Sequence, residues 1–369
     1  MQHNARNDAF DSQGVKPKSE DLTLCSGPEK SYRRATGRPL DVAVVGAGLS
    51  GLIAARILKN HGHRVHIFEK TGEPGGRISS VRHGGATFDT GAQYFTVHDK
   101  TFGKLVKSLI KAGVVQQWNA DIRVLGKNAP SGKRRTPLRY VGIPTMSAVG
   151  KHLASSLNIF FDTHVTGVER TGRVWLIHAG EKEVEKHFDV ILVSAPPPEV
   201  RSLISSIPSL YDRSISVDFS PCWAVTSVFA KKIALEYDAA FIHGSPVSWA
   251  ARDSSKPSRN PSEAWVLHGN PAWSHTHIRA KPEFVVETFL GSFLRASGCS
   301  SENPVSSQAM LWPYAKATNP TDENCLWDAS VMAGLLGDWC SMSRVEGAFL
   351  SGAAAADRVL CCAQGGSPV

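Results

Sequence analysis

The amino-acid sequence predicts an α/β protein: a Rossmann-type dinucleotide-binding domain with an inserted α+β substrate domain. Three observations carry that expectation. Asp41-Val-Ala-Val-Val-Gly46-Ala-Gly48-Leu-Ser50-Gly51 reads as a buried strand running into a glycine turn and a helix. Glu69 follows the next apolar run, Arg64-Val-His-Ile-Phe68, and stands eighteen residues after Gly51. This is the one dinucleotide fingerprint in 369 residues, and the segments that would complete its sheet are spread along the chain.

Each piece of the first unit has a physical reason. Val42, Val44 and Val45 make a short buried strand, and Leu49, Leu52, Ile53, Ile57 and Leu58 recur at helical spacing until Asn60, His61 and Gly62 stop the helix. Gly46 permits the tight turn, Gly48 lets backbone approach a pyrophosphate, and Gly51 lets the helix pack on the strand. Phosphates then meet the unpaired N–H groups of the helix start, where Ser50 lies. Val65, Ile67 and Phe68 form the second strand. Glu69 falls where a carboxylate can accept from both ribose hydroxyls, which favours an unphosphorylated adenosine ribose. Gly75-Gly76-Arg77 then lets extended backbone run beside the pyrophosphate, with a guanidinium for charge-assisted hydrogen bonds.

The remaining organisation follows from composition and period. Residues 1–39 are poor in large apolar side chains and without period, which predicts a disordered extension. No apolar core of a secretory signal occurs there, and Asp8, Asp11, Glu20, Asp21 and Glu29 make it more acidic than transit peptides are. The cytoplasm is the expected location, with a plastid or mitochondrion as the alternative. The dinucleotide domain is expected to take residues 40–100, 155–199 and 320–363, and the substrate domain 101–154 and 200–319. The first inserted piece opens on an amphipathic helix, with Phe102, Leu105, Val106 and Leu109 on one face and Lys104, Lys107 and Lys111 opposite. Pro196-Pro-Pro198 marks a crossing between domains.

Composition narrows the function classes. With 42% hydrophobic and 20% charged residues the chain is of ordinary globular type, and its apolar runs are broken before the roughly 18 residues that a membrane helix requires. The net charge of +8 is scattered apart from Lys133-Arg134-Arg135, without interleaved aromatics. It is therefore expected to steer an anionic ligand rather than to bind nucleic acid. Seven cysteines, at 25, 222, 299, 325, 340, 361 and 362, show neither a metal-ligand spacing nor a redox pair, so no metal is expected.

The fingerprint, Glu69, the G-G-R and Gly91-Ala-Gln93-Tyr94-Phe-Thr96 together resemble the amine-oxidase type of flavoprotein, and within it the renalase-like group. The resemblance continues through Arg139-Tyr-Val-Gly-Ile-Pro-Thr-Met-Ser147, Ser220-Pro-Cys-Trp-Ala224, Trp265-Val-Leu-His268, Trp312 with Tyr314-Ala315, and Gly337-Asp-Trp339 before Val345-Glu-Gly-Ala-Phe-Leu-Ser-Gly352. It implies an FAD-binding domain of amine-oxidase/PHBH-like fold. It implies cofactor contacts from Gly46, Gly48, Ser50, Gly51, Glu69, Gly76 and Arg77; from Gln93 and Tyr94 on the flavin side; and from Val165 at the adenine. Asp338 would hold the ribityl or pyrophosphate region, and the Val345 N–H would face flavin N1 and the C2 carbonyl. One departure stands out: Pro313 occupies the place where the W-R-Y-A segment carries arginine, which removes a cation and a backbone donor.

The chemistry implied is oxidation of isomeric dihydronicotinamide nucleotides, the 2- or 6-dihydro forms of NAD(P), by hydride transfer to flavin N5, with O2 as acceptor and H2O2 as product. Such a step needs no general base, and the sequence offers no evident His/Asp dyad, so no catalytic residue is assigned. The alternatives are a flavin amine oxidase acting on a small amine and a flavin-binding protein without turnover. Cys340 lacks the surroundings of a flavin-linking cysteine, so FAD is expected to be noncovalent. Trp265, His268, Trp312 and Tyr314 are the candidate substrate residues. Trp223, Trp265, Trp273, Trp312 and Tyr314 can wall a pocket for a planar ring or fill a core, and the sequence does not separate the two. His61, His63 and His66 straddle a turn and a strand and read as surface or internally satisfied residues.

Overall fold

The computed structural model describes residues 38–126, 137–180, 182–259, 262–299 and 303–364. The basic cluster at 133–135, and the expected disordered extension apart from residues 38 and 39, lie outside the described residues.

The glycine fingerprint builds the centre of a six-stranded sheet. Its order is Leu326–Asp328, Ala333–Leu335, Val190–Val193, Asp41–Val45, Arg64–Phe68 and Asn158–Phe160. Every neighbour pairs parallel except the first two strands. Strands buried on both faces need continuous apolar runs, and alternation sends successive side chains to opposite sides. Val42 and Val44 join Val190 and Leu192 in one core layer, under the helices Leu49–Asn60 and Val345–Ala363. Ala43, Val45, Ile191 and Val193 join the other layer, against the strands Val165–Thr171 and Val174–Ala179.

Two glycines let these layers close. Gly46 has φ +98°, and a Cβ on it would lie 2.6 Å from the Ser194 carbonyl oxygen. On Gly352, in the middle of the C-terminal helix, a Cβ would meet the Ser50 carbonyl oxygen at 2.3 Å. The fingerprint helix and the C-terminal helix therefore cross at a distance only glycine allows.

The second sheet runs Ser306–Ala317, Phe219–Phe229, Glu263–Gly269, Val247–Arg252, Ala239–His243 and Ile122–Gly126. It is antiparallel except for the last pair. The helix Pro282–Ser297 covers one face through Val285, Phe289 and Phe293.

Two segments expected in the substrate domain pack against the layers of the first sheet. The helix Lys100–Lys111 forms with the expected apolar face, and Phe102, Leu105, Val106 and Leu109 join the core cluster of the fingerprint and C-terminal helices, which also takes in Trp249 of the inserted sheet. The Phe102 ring lies 5.3 Å from that of Phe349 on the C-terminal helix. Likewise Leu203, Ile204, Ile207 and Leu210, expected in the substrate domain, seal the other layer of the dinucleotide domain. An amphipathic face states that a partner exists and not which sheet supplies it.

Candidate cofactor and substrate site

A single cavity of about 1220 Å³ extends from the glycine fingerprint to the inserted sheet. Gly46, Gly48, Ser50, Glu69, Gly76, Arg77, Val165, Asp338 and Val345 all line it, so one wall unites positions drawn from nearly the whole described chain.

At one end lie Glu69 and Val165. The Glu69 carboxylate is buried and oriented by the glycine turn itself: Oε2 accepts from Ala47 N at 2.7 Å, and Oε1 from Thr71 N and Oγ1 at 2.9 and 2.8 Å. A carboxylate has about four acceptor sites, so capacity for one further donor is left here rather than the two expected. In the middle, Ser50 Oγ lies 2.8 Å from Ser194 Oγ. Sequence reasoning missed Ser194, although its place directly after the buried run Val190–Val193, at the carboxyl end of a parallel strand beside the first, is where such folds bind ligands.

The Arg77 guanidinium spans two segments. Nη2 and Nη1 donate to the Asp338 carboxylate at 2.5 and 3.3 Å, and Nη1 also approaches the Ala315 carbonyl at 3.3 Å. Burial pushes the Asp338 carboxyl up, and Arg77 opposes that shift. The helix Val345–Ala363 has no side-chain cap, and its first backbone bond runs from Ala348 N to the Arg344 carbonyl at 3.1 Å. The Val345 N–H is thus among the unbonded donors of the first turn, beside the cavity.

Gln93 and Tyr94 depart from expectation, since neither side chain lines the cavity. Gln93 is turned into the protein, with Nε2 donating to the Asp89 carbonyl and Oε1 accepting from Lys256 Nζ at 3.4 Å. Tyr94 packs beside Trp118 and Trp249, with the Arg139 guanidinium 5.3 Å from its ring centre. The neighbouring Thr90, Gly91 and Ala92 form the wall instead.

At the far end, strand alternation sorts the candidate aromatics. Trp265 and Leu267 face the helix Pro282–Ser297, so the expectation that Trp265 touches substrate is overturned. Its ring is fully buried, 4.8 Å from Phe293, with Arg252 over its face and Nε1 donating to Glu263. Trp223 and Trp273 fill the same core. His268 falls on the opposite face and lines the cavity, as do Trp312 and Tyr314. His268 Nε2 and Trp312 Nε1 converge on the Thr90 carbonyl at 2.9 and 3.1 Å. Burial lowers the His268 imidazole to about 4, so it is neutral near pH 7. Cys222, Trp249 and Met310 complete this chamber and were missed, because only tertiary packing brings three different strands of one sheet to it. Cys222 carries a thiol that burial pushes up to about 12.

The residues fit a bound FAD. The fingerprint turn is a cradle that a Cβ would close, and the cavity joins an acidic ribose position to unbonded helix N–H groups. The described residues contain no helix long and apolar enough to cross a membrane.

Comparisons with known proteins agree with this geometry. Residues 44–109 match the family model of an NAD(P)-binding Rossmann-like domain. Protoporphyrinogen oxidase 2, chloroplastic/mitochondrial, of Arabidopsis thaliana is 46% identical over 204 residues, covering 52% of this chain and 40% of that protein. The chain thus spans less than half the length of the curated relatives it matches. Among solved structures, putrescine oxidase bound to putrescine superposes with TM-score 0.68 at 14% identity, and cyclohexylamine oxidase from Brevibacterium oxydans with TM-score 0.69 at 13%. Both superpositions cover 88% of this chain and 99% of the other. The chain therefore has the fold of these amine oxidases, an α/β Rossmann-type dinucleotide-binding domain carrying an inserted substrate domain.

Proposed function

We propose that the protein is an FAD-dependent oxidase that oxidises a small amine, with O2 as electron acceptor. The observation that carries this reading is the chamber walled by Cys222, Trp249, His268, Met310 and Trp312, which is continuous with the dinucleotide cleft. Ligand cavities commonly measure about 300–1,000 Å³, and the 1220 Å³ here must hold the whole dinucleotide as well as the substrate. The remainder suits a small molecule better than a second dinucleotide. A dihydronicotinamide nucleotide would also need its phosphates anchored, and Pro313 supplies neither cation nor N–H at that wall. The likeness to putrescine and cyclohexylamine oxidases favours the amine in the same direction.

When bound, FAD supplies the two-electron acceptor and passes the electrons to O2, giving H2O2. The chain supplies position and environment. Glu69 selects the adenosine ribose, the helix start at Gly48 and Ser50 receives the phosphates, and the Val345 N–H offers a donor where charge on the reduced ring would gather. The apolar chamber excludes water, and a neutral His268 places no cation against the substrate nitrogen. FAD is held noncovalently in this reading: among the described lining residues the sole cysteine is Cys222, while Cys340 is enclosed away from the cavity.

The test is anaerobic reduction of the purified flavoprotein, read from loss of its oxidised-flavin band at about 450 nm. Bleaching by a primary or secondary amine, with one H2O2 formed per turnover in air, is expected. Bleaching by dihydronicotinamide isomers alone would restore the other substrate, and protein without flavin would overturn the reading.

A further inference from the structure

Behind the Thr90 wall lies a buried cluster of four charged side chains. Asp89, Asp253 and Lys256 have no exposed side-chain surface, and Arg259 retains 3%. Lys256 Nζ donates to Asp253 Oδ1 at 2.5 Å and to Asp89 Oδ2 at 3.0 Å, and it sits 5.8 Å from the centre of the Trp118 ring. Arg259 also donates to Asp89, and its Nε lies 3.4 Å from Asp253 Oδ2. Asp89 Oδ1 accepts from Ser80 Oγ and Met146 N at 2.8 and 2.9 Å. Two anions and two cations balance.

Burying four charges is expensive, and an apolar core of the same shape is often as stable. What the cluster adds is geometry. It joins residues 80–93, the turn at 144–146 and the segment 253–259, and its anchor, Asp89, is bonded directly to Thr90 along the chain. The Thr90 carbonyl can only accept, so His268 must carry its proton on Nε2 to make the 2.9 Å bond. Nδ1 is then a bare acceptor. It takes no protein partner among the described residues, and it is not among the polar atoms sealed inside the protein.

We propose that Asp89 and Lys256 are positioning residues that hold the Thr90 carbonyl so that His268 presents an unprotonated Nδ1 to a substrate N–H, selecting primary and secondary amines over tertiary ones. The amine part rests on the reading above; the tautomer does not. Lys256 disfavours a charged imidazole from behind, Tyr314 shares the wall, and the raised Cys222 thiol beside it is neutral over the working range. Substrate and FAD leave the proton inventory of the wall unchanged, since Nδ1 only accepts a hydrogen bond.

The experiment is 15N NMR of histidine-labelled, FAD-loaded protein, with His268→Gln to assign the signal. The expected spectrum shows His268 neutral and protonated on Nε2 from about pH 5 to 8. A Lys256→Met variant is expected to keep its flavin but to show mixed tautomers. Its preference for a primary amine over the N,N-dimethyl analogue should shrink from about tenfold or more, the value of one hydrogen bond, to near unity. Lys256→Arg is expected to restore part of both. Should Lys256→Met not fold, Ser80→Ala loosens Asp89 more gently and is read in the same two ways. An Nδ1-protonated or charged His268 in the parent overturns the proposal, as does a variant that moves neither signal. If the tautomer is as stated but no amine reduces the flavin, the substrate reading falls and the positioning role of the cluster stands.

Discussion

Arg77 and Asp338, 261 positions apart, meet in a two-pronged ion pair with a shortest contact of 2.5 Å on the cavity wall. One residue follows the second strand of the fingerprint, and the other precedes the C-terminal helix. The pair ties these two distant segments together on one wall of the cavity. Arg77→Ala would leave a buried carboxylate without its counter-ion, at a cost of about 3 kcal/mol; this is the low end of such losses because Arg77 keeps 29% exposure. Urea unfolding of Arg77→Ala and of Arg77→Ala/Asp338→Asn checks it, the double variant being expected to recover part of the loss.

Glu69→Ala is expected to weaken FAD retention by about 1–3 kcal/mol, since it removes the ribose acceptor and the group that orients Ala47 N and Thr71. Fluorescence titration of apoprotein with FAD gives the number. Equal affinities of variant and parent would exclude Glu69 from the site.

Gly352→Ala places a methyl group 2.3 Å from the Ser50 carbonyl oxygen, so the two crossing helices must separate. Overpacking of this kind costs about 1–3 kcal/mol. A lower melting temperature and faster flavin release are expected together, because Ser50 lies in the fingerprint turn.

Trp265 and Trp312 should separate cleanly. Trp265→Ala empties a fully buried site and is expected to cost about 3–5 kcal/mol of stability. Trp312→Phe keeps the bulk of a cavity-lining ring and removes one donor to Thr90, so its effect should appear in kcat/KM, about tenfold, with little change in melting temperature.

Stability depends on pH through buried histidines. His268 falls from an ordinary value near 6.5 to about 4 in the folded protein, so between those values the unfolded chain binds the proton and the native one does not. The contribution of His268 to stability is complete above about pH 6.5 and is lost as pH falls towards 4. Burial lowers His63, His66 and His152 in the same direction. Melting curves across that range should show a shallower decline for His268→Gln than for the parent.

The strand, turn and helix from Asp41 to Asn60 and the second strand to Phe68 were legible in the sequence because each rests on local period and on glycine stereochemistry. The gathering of Gly46, Glu69, Arg77 and Asp338 on one cavity wall has a related reason: their motifs sit at element ends, where parallel strands expose their carboxyl edges. Tertiary structure alone decided the far end of the cavity. Trp265 and His268 belong to one strand, and the sequence does not say which of its faces meets the helix Pro282–Ser297 and which meets the cavity. Once the inserted sheet docks, alternation buries Trp265 and delivers His268 to the chamber. Gln93 is turned away from the cavity, with its amide oxygen accepting from Lys256, a partner 163 positions distant that no local pattern announces. Local stereochemistry determined the elements and the dinucleotide cradle, whereas the choice of partner for each buried face and charge depended on contacts between segments far apart in the chain.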